Sequence, residues 1–177
     1  DEGGLSHQFD MPKVPAPDSL PTEDELRREQ AKSWPKEFQE SFSGSSAIQV
    51  KPVDPVDLLN PNPTKAVQRC WMRCGEPIPD DPRIHQCVLA YLSDWSLLDT
   101  ASRPHGVSFM QENVQVASLD HAMWFHRSFR ADEWLLYDQD SPSASGARGF
   151  NRGLIYNQTG KLVASTTQEG LLRIYPQ

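Results

Sequence analysis

Polar side chains capable of acid–base chemistry are concentrated in one aromatic stretch of the sequence, from Ser118 to Phe129. Ser118, Asp120 and His121 lie there among tryptophan, methionine and phenylalanine side chains. The apolar side chains can pack into a core, whereas the polar ones need hydrogen-bond partners or water if they are buried. A strand that carries both kinds is a candidate place for a functional site.

Alternation along a regular strand assigns these polar groups to two faces. Ser118 follows two valines onto one face, so its hydroxyl is expected to open toward the core or a cleft. Asp120 and His121 point to opposite faces, which predicts structural roles, with Asp120 bonded to nearby backbone or to Arg148. A metal hydrolase site on His121 and His126 is disfavoured, because their spacing puts the two imidazoles on opposite sides of a strand.

Length and composition predict one folded domain with a flanking arm. The chain has 177 residues, a formal net charge of −7 at pH 7 and a pI near 5.2. Nucleic acids are bound through clustered lysines and arginines, so no nucleic-acid partner is expected. No apolar run reaches the ~18 residues of a membrane span, so no membrane partner is expected either.

Cys70, Cys74 and Cys87 cannot form a closed disulfide set and are predicted to be buried free thiols.

The most apolar segment is predicted to be one buried helix over about Pro82 to Asp99. Asp81 is a favoured N-cap, and proline is favoured at the first helical position. Apolar side chains cover nearly the whole circumference, which is typical of a helix surrounded by protein. Asp94 and Asp99 lie near the end of this helix, and a buried carboxylate requires hydrogen-bond partners. The free-energy cost of burying a carboxylate suggests a functional role for Asp94, although its position also fits a carboxylate that caps the helix.

The remaining periodic segments predict an α+β fold in which one curved antiparallel sheet wraps around this helix. Two strands precede the helix and four follow it, with a tight hairpin at Asn157–Gly160 and a loop over Ser141–Gly149. On the last strand Gln168 follows apolar and small residues onto one face, as Ser118 does on its own strand. The predicted strands are about Ile48–Val53, Val67–Cys74, Val114–Phe125, Glu133–Asp140, Gly149–Tyr156 and Leu162–Leu172. The tryptophans predicted to lie in the core are Trp71, Trp95, Trp124 and Trp134.

Residues 1–46 are predicted to form the arm, and residues 47–177 the folded domain. Four prolines between Met11 and Pro21 favour an extended path along a surface. Thr22 and Glu25 have the spacing of a capping box, which predicts a short solvated helix from about Glu23 to Ala31, stopped by Pro35.

Several segments together resemble the type II acyl-CoA thioesterases, the family of bacterial thioesterase II and the peroxisomal acyl-CoA thioesterases. The resemblance covers nearly the whole chain. It lies in Ser-Leu-Asp-His-Ala-Met-Trp-Phe-His-Arg, Glu-Trp-Leu-Leu-Tyr, Ser-Ala-Ser-Gly-Ala-Arg-Gly and Val-Ala-Ser-Thr-Thr-Gln-Glu-Gly, and in Phe9-Asp10-Met11-Pro12 of the arm.

The resemblance implies a fold and a site. The family is built from two hot-dog domains, and this chain resembles the linker and the second domain. Hydrolysis is implied to depend on Asp94 of the helix, Ser118 of the strand before Leu-Asp-His, and Gln168 of the last strand. Bacterial members often have threonine at the position of Ser118, so the hydroxyl is kept and a restraining methyl is lost. Direct attack by an ordered water, without a covalent nucleophile, metal or cofactor, is the implied mechanism.

The resemblance covers only the second of the family's two hot-dog domains, and this determines which partners are expected. The sequence is interpreted as a piece of a longer polypeptide, and acyl-CoA, the N-terminal hot-dog half and a further copy of the chain are the expected partners. One alternative is a non-catalytic acyl-CoA-binding or assembly half. Another, a hot-dog dehydratase, is disfavoured because no histidine occupies the Asp94 or Gln168 position. The terminal Tyr-Pro-Gln is not a peroxisomal signal, so the cytoplasm is the expected location, with the peroxisomal matrix as the alternative.

Overall fold

The computed structural model describes residues 3–33 and 47–176, which form an antiparallel sheet with helices against it. The seven strands lie in the order β1-β2-β5-β6-β7-β3, and β4 also pairs with β7. They are Ile48–Pro52 (β1), Val67–Cys74 (β2), Val114–Ser118 (β3), Ala122–Phe125 (β4), Leu135–Ser145 (β5), Arg148–Asn157 (β6) and Leu162–Ile174 (β7). The helices are Glu23–Ala31 (α1), Pro82–Asp94 (α2) and Asp99–Ser102 (α3), with 3₁₀ turns at Pro17–Ser19 and Arg103–His105. None of the described helices is long and apolar enough to cross a bilayer.

The main core lies between α2 and the inner face of the curved sheet. Leu89 and Leu92 of α2 are almost fully buried and share one cluster with Leu135, Tyr137 and Ile155 of the sheet. Alternation along the strands explains this, because every second side chain of β2, β5 and β6 faces the helix. The predicted α+β architecture of one curved antiparallel sheet around one helix is confirmed.

The central helix is shorter and less enclosed than predicted. Asp81 caps it and Pro82 opens it as expected, but it ends at Asp94 rather than Asp99. The chain then turns, which buries Leu97 completely and brings Leu98 against Gly170 of β7. A Cβ at position 170 would lie 2.2 Å from Leu98 Cδ1, so a larger residue there would force Leu98 to move, and the close packing of this segment favours glycine.

One face of α2 is open to solvent in this chain, so the prediction of a helix buried all round is wrong. Ile84 is 38% exposed and Tyr91 is 65% exposed, and Cys87 lies on the same open side. Of the three predicted buried thiols only Cys70 is buried, since Cys74 is half-buried and Cys87 is exposed. Burial raises the pKa of the Cys70 thiol to about 12.

The strand predicted over Val114–Phe125 is divided into β3 and β4. Ser118 pairs with Gly170 and Ala122 pairs with Thr167, so three residues of one strand oppose two of β7. The extra residue forms a bulge, which reverses the alternation of side chains beyond it. The predicted loop over Ser141–Gly149 is also wrong, because β5 and β6 continue to a two-residue turn at Gly146–Ala147.

The arm covers the outer face of the sheet. Trp71 and Trp134 are buried there beneath arm side chains, and Trp71 Nε1 donates a 3.0 Å hydrogen bond to the Pro15 carbonyl. Gln8 donates to the Gly160 carbonyl at 2.7 Å and accepts from the backbone N–H of Leu162 at 3.0 Å. The other two tryptophans predicted for the core are substantially exposed, Trp95 at 41% and Trp124 at 52%.

The helix of the arm begins and ends where the sequence predicts, at Glu23 and Ala31, and its capping box is formed. It is not a solvated helix, however, because Trp95 Nε1 donates to Glu23 at 3.2 Å and Gln30 donates to the Val56 carbonyl at 3.2 Å. Pro35 and the boundary proposed at residue 46 lie outside the described residues, so the stop at Pro35 and the division into residues 1–46 and 47–177 stay predictions.

Candidate functional site

The last turn of α2 is fixed by side chains of the inner sheet face. Tyr137 of β5 donates its hydroxyl to the Ser93 carbonyl at 3.0 Å, which satisfies one of the carbonyls that a helix end leaves unpaired. The same hydroxyl lies 2.7 Å from Thr166 Oγ1 of β7. Burial raises the pKa of Tyr137, so the phenol stays neutral and remains able to donate. These contacts fix the residue next to Asp94 relative to β5 and β7.

Asp94, Ser118 and Gln168 come from three elements and meet at this point. Gln168 Nε2 donates one hydrogen bond to Asp94 Oδ1 and another, of 3.1 Å, to Ser118 Oγ. The orientation of the amide is set by chemistry, because an ionised carboxylate accepts hydrogen bonds and only the nitrogen end of glutamine donates them. The structure therefore brings together all three residues singled out from the sequence.

The site is buried on one side and open to solvent on the other. Gln168 is fully buried, whereas the Asp94 side chain is 53% exposed and Ser118 is exposed. Among the described residues, Asp94 Oδ2 has no hydrogen-bond partner, and the Ser118 hydroxyl has no acceptor for its hydrogen. A fixed amide thus positions a carboxylate oxygen and a hydroxyl that can both bind a water molecule from the open side.

Asp120 has the structural role expected of it, through the backbone rather than through Arg148. Its Oδ1 accepts from the backbone N–H of Glu169 at 2.8 Å, which secures the bulge between β3 and β4. Arg148 instead lies 3.5 Å from Glu169.

His121 lies beside the site, which alternation along a regular strand did not predict. Because the bulge reverses the alternation, His121 faces α2 on the same side of the sheet as Ser118. Its Nε2 is 2.9 Å from Ser93 Oγ, and its Nδ1 is 3.7 Å from Asp94 Oδ1. No pattern in the sequence reveals the bulge, so the contact could not be found from spacing. His126 lies elsewhere, with Nε2 2.8 Å from Ser165 Oγ.

A separate cavity of about 330 Å³ lies between α1, the loop after β1 and the segment after α2. Asp94, Ser118 and Gln168 do not line it. Burial, together with the charge of Glu23, raises the pKa of the Asp99 carboxyl in its wall to about 7. Within residues 3–33 and 47–176, no group of three or more histidine, cysteine, aspartate or glutamate side chains is arranged to hold a metal ion.

Comparison with known proteins identifies a group with the same sequence features. A family model described as acyl-CoA thioesterase matches residues 31–171. The chain is 37% identical over 172 residues to acyl-CoA thioesterase 2 of Haemophilus influenzae, covering 97% of this chain and 60% of that protein. It is 38% identical over 181 residues to human acyl-coenzyme A thioesterase 8, covering 98% of this chain and 56% of that protein.

Solved structures agree with the sequence comparison. The crystal structure of an acyl-CoA thioesterase II, TesB2, from Mycobacterium marinum is similar, with a TM-score of 0.74, 47% identity, and coverage of 99% of this chain and 60% of that one. A protein with a hot-dog fold from Alicyclobacillus acidocaldarius is similar with a TM-score of 0.69 and 18% identity, covering 99% of this chain and 59% of that one. The expected hot-dog fold is therefore confirmed. The chain spans about 60% or less of the length of these relatives.

Proposed function

The chain belongs to the acyl-CoA thioesterase family, and from that premise we propose that it hydrolyses acyl-CoA thioesters to a free fatty acid and CoA. Asp94, Ser118 and Gln168 are the proposed catalytic residues. The observation that supports them most strongly is that one buried amide, Gln168, bonds both Asp94 and Ser118 across three separate elements.

Asp94 is the proposed general base. Its Oδ1 accepts from Gln168, so the same contact that orients the carboxylate leaves Oδ2 without a hydrogen-bond partner among the described residues. A water molecule bound to Oδ2 can give up a proton as it attacks. The exposure of the Asp94 side chain, 53%, is compatible with the entry of both water and substrate.

Gln168 and Ser118 are proposed to hold this water in line with the thioester carbonyl. Gln168 donates one amide hydrogen to Asp94 and the other to Ser118. It therefore fixes the distance between the carboxylate and the hydroxyl. The Ser118 hydroxyl hydrogen remains available to the water or to the developing oxyanion. Holding a reactant in the geometry of attack replaces a bimolecular encounter with a unimolecular step.

The proposed reaction needs no covalent intermediate, metal or cofactor. The water oxygen forms a bond to the thioester carbon while its proton passes to Asp94, and the carbonyl electron pair moves to oxygen. The tetrahedral intermediate then collapses and the carbon–sulfur bond breaks with its electron pair on sulfur. The sulfur takes the proton from Asp94, which returns the carboxylate to its starting state.

A second hot-dog half is proposed as the partner that completes the site. The chain spans 60% and 56% of two curated relatives, and Asp94, the open face of α2 and Trp124 of β4 are exposed. The missing half is proposed to come from the same polypeptide, with a second copy of this chain as a further partner. Neither a nucleic acid nor a membrane is proposed as a partner, and the cytoplasmic location, with the peroxisomal matrix as alternative, stays a prediction.

Asp94→Asn tests the assignment in a protein that contains both halves. Asparagine keeps the size and the contact to Gln168 but cannot take the proton, so kcat for palmitoyl-CoA should fall by ~10²- to 10⁴-fold. Release of the CoA thiol is measured together with thermal unfolding, which should change little because the side chain is half-exposed. Turnover equal to that of the wild type would rule out the assignment.

Non-catalytic acyl-CoA binding is the alternative function, favoured because the chain spans only 60% and 56% of the length of two relatives. Calorimetry with a non-hydrolysable palmitoyl-CoA analogue and the thiol-release assay separate the two. Binding without thiol release, by the protein with both halves, would support the alternative and contradict hydrolysis.

A further inference from the structure

The bulge between β3 and β4 brings a histidine to the proposed base. Residues 119–121 oppose only two residues of β7, and this shift turns His121 toward the end of α2. There the two ring nitrogens face two consecutive residues of the helix: Nε2 is 2.9 Å from Ser93 Oγ, and Nδ1 is 3.7 Å from Asp94 Oδ1. The imidazole thus lies between a hydroxyl at hydrogen-bond distance and a carboxylate slightly farther away.

The Ser93 hydroxyl has two neighbours at hydrogen-bond distance, the Ala90 carbonyl at 2.9 Å and His121 Nε2 at 2.9 Å. We assign its single hydrogen to the Ala90 carbonyl, so that the hydroxyl accepts from His121 and Nε2 carries a hydrogen. In the neutral ring Nδ1 then has a lone pair, and this nitrogen is buried and has no hydrogen-bond partner among the described residues.

From this geometry we propose that His121 is a positioning residue that stabilises Asp94 after the base has taken the proton from water. The inference rests on the proposed thioester hydrolysis and deepens it. With Asp94 ionised, the Nδ1 lone pair and the carboxylate repel each other. Once Oδ2 has taken the proton, rotation of the half-exposed carboxyl about its Cβ–Cγ bond exchanges the two oxygens, so that the O–H occupies the place of Oδ1, 3.7 Å from Nδ1, and can donate to this nitrogen.

The change of the His121–Asp94 interaction from repulsion to attraction favours catalysis. An interaction accelerates a reaction only if it is stronger in the transition state than in the ground state. The contact between His121 and Asp94 becomes attractive only as the proton arrives, so it lowers the barrier for water attack. The proton stays on the pair until the thiolate leaves, when it passes from Asp94 to sulfur.

A purely structural role makes the opposite prediction. In that case His121 serves only to join the bulge to α2 through Ser93, and Nδ1 is irrelevant. Two substitutions separate the alternatives, because glutamine places its amide near the position of Nε2 and asparagine places its amide near that of Nδ1. His121→Gln keeps the contact to Ser93, whereas His121→Asn keeps a polar group facing Asp94.

We expect His121→Gln to lower kcat for palmitoyl-CoA by ~10- to 100-fold with little change in KM, and His121→Asn to lower it less. His126→Gln is the matched control, since His126 makes the same kind of contact to a serine, Ser165, away from Asp94, and its kcat should be unchanged. A loss confined to His121→Asn, accompanied by a lower Tm, would overturn the proposal. Equal kcat in wild type and His121→Gln would also overturn it.

Nitrogen-15 NMR of the imidazole provides a test that does not depend on hydrolysis. In the resting protein with both halves, at a pH where the ring is neutral, His121 is expected in the Nε2–H form. An Nδ1–H form would overturn the inference even if Asp94→Asn abolishes turnover, in which case the proposed function stands alone. If the wild type releases no thiol, the proposed function fails, and the positioning role of His121 in hydrolysis fails with it.

Discussion

The buried amide of Gln168 determines the chemistry that the site can perform. A glutamine on a strand could satisfy any polar neighbour, but here both of its hydrogens are used on Asp94 and Ser118. An unpaired buried amide costs ~1–3 kcal/mol, so these contacts hold base and hydroxyl together rather than merely permit their proximity. What distinguishes Asp94 from an ordinary helix-terminal carboxylate is this buried donor opposite it.

Asp99, five residues beyond Asp94, is a carboxyl in a different environment. Its pKa is raised to about 7 by burial and by the charge of Glu23. Between the ordinary value, 3.8, and about 7 the folded protein retains a proton that the unfolded chain releases. The free energy of unfolding therefore decreases as pH rises through this interval.

Asp99→Asn should remove this part of the pH dependence. The variant should unfold with nearly wild-type free energy near pH 4 and become the more stable protein as pH rises to 7 and above. The difference is expected to reach at most ~4.5 kcal/mol, since one pKa unit corresponds to ~1.4 kcal/mol. Urea unfolding between pH 4 and 8 measures it, with Asp18→Asn as the control because Asp18 is exposed. Parallel pH curves for wild type and Asp99→Asn would contradict the expectation.

At the scale of elements, the sheet has two buried faces and the arm supplies one of the covers. The inner face packs on α2, and the outer face buries Trp71 and Trp134 beneath Met11, Val14 and Leu20. Hydrogen bonds from Gln8 and Trp71 fix the extended path that the prolines favour. The arm thus contributes to the stability of the domain and is more than a tether.

Leu20→Ala tests this contribution of the arm. Leu20 packs against the outer-face cluster, so its truncation should lower the free energy of unfolding by ~1–2 kcal/mol, toward the lower end for a partly buried leucine. Leu5→Ala is the matched control, because Leu5 is fully exposed and should cost less than ~0.5 kcal/mol. Chemical denaturation followed by tryptophan fluorescence measures both. Equal stability of the two variants would show that the arm does not support the sheet.

At the scale of the whole molecule, apolar surface remains uncovered on α2 and on the strands beside it. Tyr91 is 65% exposed, Leu119 54% and Trp124 52%, and within residues 3–33 and 47–176 no strand pairs with the outer edge of β3. Sheet edges and apolar patches of this kind mark interaction surfaces. They also lie on elements that carry the site, which is consistent with a partner that encloses the substrate.

The chain by itself is expected to self-associate through this surface. Tyr91→Glu should weaken the association by ~10-fold or more, because it places a charge in the apolar contact. Leu5→Glu, which charges an exposed apolar position of the arm, should leave it unchanged. Sedimentation velocity over a range of concentrations measures both variants. A stable monomer at tens of micromolar would contradict the expectation and leave the N-terminal half as the remaining candidate for this surface.

The sequence by itself determined the local features. The capping box of α1, the start of α2 at Pro82, the Asn157–Gly160 turn and the face of β7 that carries Gln168 follow from nearby residues and from alternation. Their order along the chain also fixed the α+β architecture, and the family resemblance pointed to Asp94, Ser118 and Gln168 as a set.

Only the tertiary structure decided which groups meet. The bonds from Gln168 join residues 74 and 50 positions apart in the chain, which no local pattern encodes. The end of α2 at Asp94 follows from the packing of Leu97 and Leu98 against the sheet, and the side on which His121 lies follows from one extra residue opposite β7. The alternation of side chains along a strand predicts the sheet face of each side chain only while the pairing register is regular. That register is set by the partner strand.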